Sequence, residues 1–531
     1  MPNNECVDDV DNEDDWMTYY SEDNEDSVEC VDDDWSSHCE EEEDDAKCWL
    51  LPESNEYDSD IPTEEEQECM IEEGVEAVRE MLEENALDFK NPDFDEIVHS
   101  CVVGYFCGLF ENIAGYTDVH ALEWCIHVME EEVLQRVHAE IAPPRSYHAS
   151  FIRKQPNIPK VTARIEALRA TYQPEQRTAE WYAYRHNLIT ASNAYKAFGS
   201  QATQNQLIYE KCEPFDPMNR GAQFVSTNST LHWGQKYEPL SAAIYEHRNK
   251  TTLSDFGCIR HCKYPFLGAS PDGINTDESS LLYGRMVEIK NIVNREITGI
   301  PKEEYWVQMQ LQMEVCNLPE CDFVETRFKE YETEAAFWED SPANEPDSIR
   351  KRQDGCREKG IILWFYKLGG GAPIYEYMPL NITNKDEFEV WEEAAFERHA
   401  GEMWGRNIYW YLDTYSCVLV LRNKLWFEKA VPILEDVWRT IEREKVEGYE
   451  HRAPAKRNKP TTYIMGNPLK IPVISQEMLN SLRISQEEQN ERKEEQVREH
   501  TKKEENNELE KLSFDTLDLN LDALSMFQKD A

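Results

Sequence analysis

Long apolar runs and basic residues are both scarce in this 531-residue chain. No stretch of eighteen apolar residues occurs and the first residues are acidic, so the sequence predicts neither a membrane-spanning helix nor a secretory signal peptide. We therefore expect an intracellular protein that is not secreted and has no membrane partner.

The 15 cysteines also lack a pattern that would make them a structural framework. Disulfide frameworks are typical of short secreted chains, so reduced thiols are expected here. Cys258 and Cys262 flank His261 like half a zinc site, but no second pair with ligand spacing follows, and a strand would turn alternate residues to opposite faces. The trio Cys316, Cys321 and Cys356 is too widely spaced for an iron–sulfur cluster.

Acidic residues dominate the composition, with 106 Asp and Glu against 54 Lys and Arg, for a net charge of −52. Residues 1–70 contain 29 of these acids and one basic residue, Lys47. Residues 151–330 carry 21 acidic and 21 basic side chains and are neutral overall. A neutral segment of this kind is compatible with binding nucleic-acid phosphates, although the whole chain is acidic.

Changes in composition divide the chain into six segments. Residues 1–62 are too acidic and too poor in aliphatic residues to form a core, and we expect a disordered tail that either solvates the protein or covers a basic channel as a DNA mimic. The others are a small helical domain (63–142), a linker (143–159), a mixed α and β domain (160–449), a basic linker (450–474) and a charged helix with an acidic-hydrophobic tail (475–531). That last tail resembles segments that fold onto a protein partner, although packing on its own body is an equal alternative.

Local patterns predict several elements inside these segments. Thr63 and Glu66 have the spacing of a capping box that opens a helix, and further helices are expected at Asp95–Ala114 and Thr117–Ala142. Two strand-like runs on either side of Gly369–Gly371 predict a hairpin. Residues 386–449 are interpreted as helical. The predicted core of the helical domain comprises Phe106, Cys107, Phe110, Trp124 and Ile126.

The segment from Leu267 to Cys316 contains the residues with the clearest chemical potential. If VEIK is a strand, Glu288 and Lys290 share one face while Val287 and Ile289 point into the core. Asp272 lies between Pro271 and a glycine, which predicts a turn or strand end that aims its carboxylate at the same place. Converging carboxylates favour a hard cation, Mg²⁺ or Mn²⁺, and Lys290 would orient or deprotonate water.

Flanking segments add further candidates. Glu238 lies in a predicted helix, or kinked helix pair, that contains Pro239, and it is a candidate third carboxylate. Gln308 falls on one side of a predicted helix after the VEIK strand, where its amide can hydrogen-bond a phosphate or water. Arg185, followed by Ser192, combines a guanidinium with a hydroxyl, which suits a terminal phosphate.

Five segments, in order, resemble the phage lambda exonuclease and YqaJ-type viral recombinase family of PD-(D/E)xK nucleases. They are WYAYRHNLITAS, LHWGQKYEP, LGASPDGI, VEIK and YWVQMQ. The resemblance implies a restriction-endonuclease-like α+β or α/β core with a mixed central sheet between helices, from a large DNA virus and therefore in a host cytoplasm or nucleus. It also implies metal ligands at Glu238, Asp272, Glu288 and the Ile289 carbonyl, catalytic roles for Lys290 and Gln308, and 5′-phosphate binding by Arg185, Ser192 and Ser270.

The function implied by this resemblance is Mg²⁺-dependent 5′→3′ exonucleolysis at double-stranded DNA ends, with two ions, in recombination, repair or genome processing. A homotrimer is implied as well. Two alternatives stay open at the level of sequence: an endonuclease with the same site, and a non-catalytic scaffold that binds DNA ends.

Overall fold

The computed structural model describes residues 62–111, 119–152, 155–215, 229–354, 358–367 and 371–454. These residues belong to one unit, Met1–Pro454. The predicted acidic tail, most of the glycine turn, nearly all of the basic linker and the C-terminal tail lie outside the described residues.

Three helices come first in the described chain: α1 (Glu64–Glu84), α2 (Phe94–Glu111) and α3 (Val119–Glu140). The capping box is confirmed, because the Thr63 side chain accepts from the Glu66 N–H while the Glu66 carboxylate accepts from the Thr63 N–H. Phe106 and Phe110 are buried as expected. Cys107 and Trp124 are exposed, which corrects their assignment to the core: each lies on the outer face of its helix.

Four further helices lead toward the sheet: α4 (Ile158–Ala170), α5 (Ala179–His186), α6 (Ala191–Ala194) and α7 (Gln201–Cys212). After them come α8 (Thr230–Asn249), α9 (Glu303–Cys316), α10 (Glu334–Glu339), α11 (Lys385–Arg398) and α12 (Lys424–Glu447). Helix α8 passes through Pro239 as one helix, so the kinked pair does not form. One apolar cluster contains side chains from α1, α2 and α3 together with α9 and α12, so the N-terminal helices share a core with the segment that follows them.

A mixed sheet of seven strands lies at the centre of the fold, as the sequence predicted. Its order is β2-β5-β6-β7-β10-β8-β9, and β6 and β7 run parallel while the other neighbours are antiparallel. The strands are β2 (Leu253–Ser254), β5 (Gly273–Asn275), β6 (Met286–Asn291), β7 (Glu320–Glu330), β8 (Lys359–Tyr366), β9 (Ile374–Tyr377) and β10 (Met403–Leu421). A smaller sheet has β1 (Ile189–Thr190), β4 (Leu267–Ala269) and β3 (Ile259–Arg260), in that order.

The helical interpretation of residues 386–449 is wrong over Met403–Leu421, which form the long strand β10. This strand is rich in aromatic and β-branched residues, and it pairs with β7 along one part and with β8 along another. Trp410 is 1% exposed on β10 and Trp426 is fully buried on α12, whereas Trp404 is 49% exposed. The hairpin prediction is confirmed by the antiparallel pairing of β8 with β9. Within the described ranges, no helix combines the length and apolarity needed to cross a membrane.

His261, the histidine of the rejected zinc motif, has a structural role. Its Nδ1 atom accepts hydrogen bonds from the backbone N–H groups of Lys263 at 3.1 Å and Tyr264 at 3.2 Å, so the ring is held neutral. Burial, assisted by the Arg164 and Arg422 charges, lowers its pKa to about 4.

We expect His261 to make the fold sensitive to acid. The unfolded chain binds a proton near pH 6.5 and the folded one only near pH 4, so the free energy of unfolding should fall as the pH drops through this window. The loss attributable to this group is at most about 3 kcal/mol. The measurement is urea denaturation of wild type and His261→Asn at pH 7 and pH 4.5, since Asn offers an acceptor that does not titrate. An equal loss of stability in both proteins would show that groups other than His261 cause the acid sensitivity.

Candidate active site

Asp272 and Glu288 lie close together where the first residue of β5 pairs with β6. In β6, Val287 and Ile289 are buried on one face and Glu288 and Lys290 lie on the other, as the alternation of VEIK predicted. Asp272 lies in the short connection between β4 and β5, and its Oδ2 accepts the backbone N–H of Ile289 at 2.8 Å. This bond fixes the Asp272 carboxylate beside the strand that carries Glu288.

The Glu288 carboxylate is fully buried and has a polar partner on each oxygen. Oε1 is paired with the Lys290 ammonium and accepts the Gln308 amide at 2.7 Å. Oε2 accepts the Gln312 amide at 2.7 Å. Both amides come from α9, four residues apart and hence on one helix face. The helical period also predicts Gln312 on the same helix side as Gln308, although the sequence did not place it among the catalytic residues.

Glu238 projects from α8 and is held by a different cation. An Nη atom of Arg177 lies 3.4 Å from each of its oxygens, and the Glu238 side chain is 37% exposed. Arg177 has a φ of +67°, a conformation uncommon for a residue other than glycine. Sequence reasoning gave no signal for Arg177, because its importance depends on this contact across 61 residues.

The electrostatic environment of Asp272 and Glu238 is unfavourable for negative charge. Burial raises the pKa of Asp272 well above its usual range, and the Glu288 charge raises it further. Burial also raises the pKa of Glu238, with a compensating effect of Arg177. For Lys290, burial opposes the ammonium, but Glu288 and Asp272 outweigh it and raise the pKa, so the side chain is a cation.

The donor set fits a hard divalent cation in its chemistry. Carboxylates whose pKa values are raised by one another gain most from a positive charge between them. In this side-chain arrangement, however, Arg177 is paired with Glu238. The Lys290 ammonium and the amides of Gln308 and Gln312 are bound to Glu288. Across the described part of the chain, no three His, Cys, Asp or Glu side chains converge closely enough to hold a metal ion. Asp272, Glu288, Lys290 and Gln308 are thus brought together, and Glu238 interacts with them through its charge alone.

Of the three residues predicted to bind a terminal phosphate, Arg185 contacts both of the others. The Arg185 guanidinium donates to the hydroxyl of Ser270 at 3.2 Å and to that of Ser192 at 2.9 Å. It also lies over the Trp181 ring, 4.4 Å from the centroid. We call Arg185, Ser192 and Ser270 the hydroxyl–guanidinium cluster. Ser270 is two residues from Asp272, and its carbonyl accepts the Gln312 amide at 3.3 Å, so the cluster adjoins the carboxylates.

We expect Asp272→Asn to stabilise the protein when divalent cations are absent. The substitution removes a carboxylate whose ionisation is opposed by burial and by Glu288, and it preserves an acceptor for the Ile289 N–H. Thermal melts in EDTA at pH 8 should show a higher midpoint than wild type, and added Mg²⁺ should raise the midpoint of wild type only. Asp277→Asn, on the following loop, is the matched control. A lower midpoint for Asp272→Asn in EDTA would contradict the repulsion described above.

Known proteins are similar to this chain over its central part. Residues 180–319 match the YqaJ-like viral recombinase domain. An uncharacterized protein of Acanthamoeba polyphaga mimivirus is 29% identical over 322 residues, covering 54% of this chain and 56% of the relative, so the chain spans about half of that protein's length.

Two crystal structures of an alkaline exonuclease, LHK-Exo from Laribacter hongkongensis, are also similar. They are 19% identical for the protein alone and 20% identical for its complex with dAMP, each over 50% of this chain and 94% of the exonuclease, with a TM-score of 0.29. The five motifs all lie within the region of the family match, so the predicted resemblance is confirmed over residues 180–319, which match the YqaJ-like viral recombinase domain.

Proposed function

We propose that this protein is a Mg²⁺-dependent exonuclease that degrades double-stranded DNA from a 5′-phosphorylated end. The supporting observation is that Ser270, in the hydroxyl–guanidinium cluster, and Asp272, in the carboxylate group, belong to the same β4–β5 connection. Two residues of extended chain span about 7 Å. A terminal phosphate held by Arg185 would therefore be anchored close to the carboxylates, as an enzyme that cuts near an end requires.

We assign the metal ligands from the chemistry of their oxygen donor atoms. Asp272, Glu288 and the Ile289 carbonyl would hold the cations, two in number, with Glu238 released from Arg177 to join them. Bound Mg²⁺, or Mn²⁺ in its place, supplies Lewis-acid chemistry that makes water nucleophilic near neutral pH and stabilises the leaving oxygen.

The remaining roles belong to side chains of this chain. Lys290 donates hydrogen bonds that orient the attacking water, which suits a side chain held in its cationic form. Gln308 and Gln312 donate to Glu288 and hold its carboxylate in a fixed orientation. Arg185, Ser192 and Ser270 bind the 5′-phosphate, and the direction of digestion follows from which end they accept.

The match of residues 180–319 to a viral recombinase domain supports this proposal, which extends to action in viral recombination, repair or genome processing inside a host cell. The homotrimer stays a prediction. The predicted partner of the C-terminal tail concerns residues outside those described.

The test is digestion of linear duplex DNA with Mg²⁺, comparing wild type with Asp272→Ala. Wild type should release nucleotides from 5′-phosphorylated ends faster than from 5′-hydroxyl ends and leave covalently closed circles intact. Asp272→Ala should lose cleavage below detection and retain DNA binding, because the carboxylate acts on the scissile group and lies outside the phosphate contacts. Asp277→Ala controls for loss of charge.

Three results would each contradict a part of this proposal. Cleavage of closed circles would favour an endonuclease with the same site. Cleavage retained by Asp272→Ala would show that the Asp272 carboxylate is not required for the reaction. DNA-end binding without cleavage by wild type in Mg²⁺ or Mn²⁺ would favour the scaffold.

A further inference from the structure

Arg185 is a half-buried cation whose contacts in the described residues are with neutral groups. Its guanidinium bonds the Ser192 and Ser270 hydroxyls and lies over Trp181, and no Asp or Glu of the described chain forms an ion pair with it. Burial lowers its pKa, with a small opposing effect from nearby acidic groups. A cation of this kind is stabilised when an anion arrives, because hydroxyl dipoles offset only part of the cost of desolvation.

Lys211 adds a second cation behind Arg185. It is the penultimate residue of α7 and is 6% exposed, and its ammonium donates to the Arg185 carbonyl at 2.8 Å. Burial first and the Arg185 charge second lower its pKa to about 7. Lysine is almost never buried without an anionic partner, so this placement needs a reason.

The neighbouring groups within the described residues do not neutralise this pair of cations. Glu210, the adjacent acid, is bound to Lys196, with 2.7 Å between the ammonium and the carboxylate. Cys258 lies close to both cations, but burial raises the pKa of its thiol, so it stays uncharged at neutral pH. Arg185 thus leaves positive charge beside the hydroxyl–guanidinium cluster, and an anion bound there would raise the pKa of Lys211 and hold its side chain as an ammonium.

We propose that Lys211 is a specificity-determining residue of the terminal-phosphate site. Its ammonium holds the Arg185 backbone in place and contributes a second positive charge, which favours a doubly charged phosphomonoester at a 5′ end over an uncharged hydroxyl end. This inference rests on the proposed function, because it assigns the 5′-phosphate to the hydroxyl–guanidinium cluster. Lys211 is a positioning and charge-supplying residue, and the phosphate itself contacts Arg185, Ser192 and Ser270.

The measurement is the preference for phosphorylated ends, defined as kcat/KM for 5′-phosphoryl duplex divided by kcat/KM for 5′-hydroxyl duplex. Lys211→Met, which keeps the length of the side chain without its charge, should lower this ratio about tenfold, the effect of about 1.4 kcal/mol of lost electrostatic stabilisation. Lys211→Gln retains an amide donor, and because the inferred effect is that of the charge, it should lower the ratio similarly. In both variants kcat/KM should fall more on 5′-phosphoryl ends than on 5′-hydroxyl ends.

Lys329→Met is the matched control, since Lys329 on β7 is a lysine whose charge is paired with Asp413 and its loss leaves the Lys196–Glu210 ion pair intact. A second readout uses no cleavage: binding of 5′-phosphoryl and 5′-hydroxyl hairpin duplexes in EDTA should show the same loss of preference. Thermal melts establish that each variant is folded. If Lys211→Met is unstable, the test is made with Lys211→Gln.

The outcomes separate this inference from the proposed function. If Arg185→Ala abolishes the preference while both Lys211 variants are folded and keep it, the role of Lys211 is refuted and the exonuclease proposal stands. If wild type shows no preference for phosphorylated ends, the assignment of the phosphate site itself is refuted. A fall in preference for the Lys211 variants, with none for Lys329→Met, supports the inference.

Discussion

The Glu288 carboxylate, buried on a central strand, is the constraint around which the candidate site is arranged. A charge in that position would be costly without partners, and each of its oxygens receives donors from the Lys290 ammonium or from the amides of α9. Asp272 is brought beside it by the backbone of the same strand. The helix after β6 must therefore pack with its glutamine face toward the strand, and the buried residues on its other sides provide that packing.

The same arrangement explains how the fold accommodates three neighbouring carboxylates. Lys290 neutralises Glu288, and Arg177 lies against Glu238. Asp272 accepts only the Ile289 N–H among the hydrogen bonds described above, and it keeps the repulsion from Glu288 that raises its pKa. Sites used for chemistry commonly store unfavourable interactions of this kind, and the unusual backbone of Arg177 belongs to the same pattern.

Local sequence patterns predicted the parts of the site that depend on neighbouring residues. The alternation in VEIK fixed the faces of Glu288 and Lys290, and the turn at Asp272 followed from its proline and glycine neighbours. Such local patterns could not predict contacts between segments that are distant in the sequence. The resemblance, rather than spacing, indicated that Ser270 joins Arg185, and nothing in the sequence linked Lys211 to a residue 26 positions earlier. Residues 403–421 were misassigned because they were read together with the helical segments on either side, although their aromatic and β-branched residues favour the strand that pairs with β7 and β8.

Strand β10 connects the β8–β9 hairpin to the part of the sheet that carries the candidate site. Its residues Trp410 and Tyr411 pair with β7 on one side and with β8 on the other, so the two regions share one continuous backbone of 19 residues, about 60 Å long. A rotation of the β8–β9 hairpin relative to β7 would have to bend β10 or break its backbone hydrogen bonds, because the same two residues pair with a strand on each side.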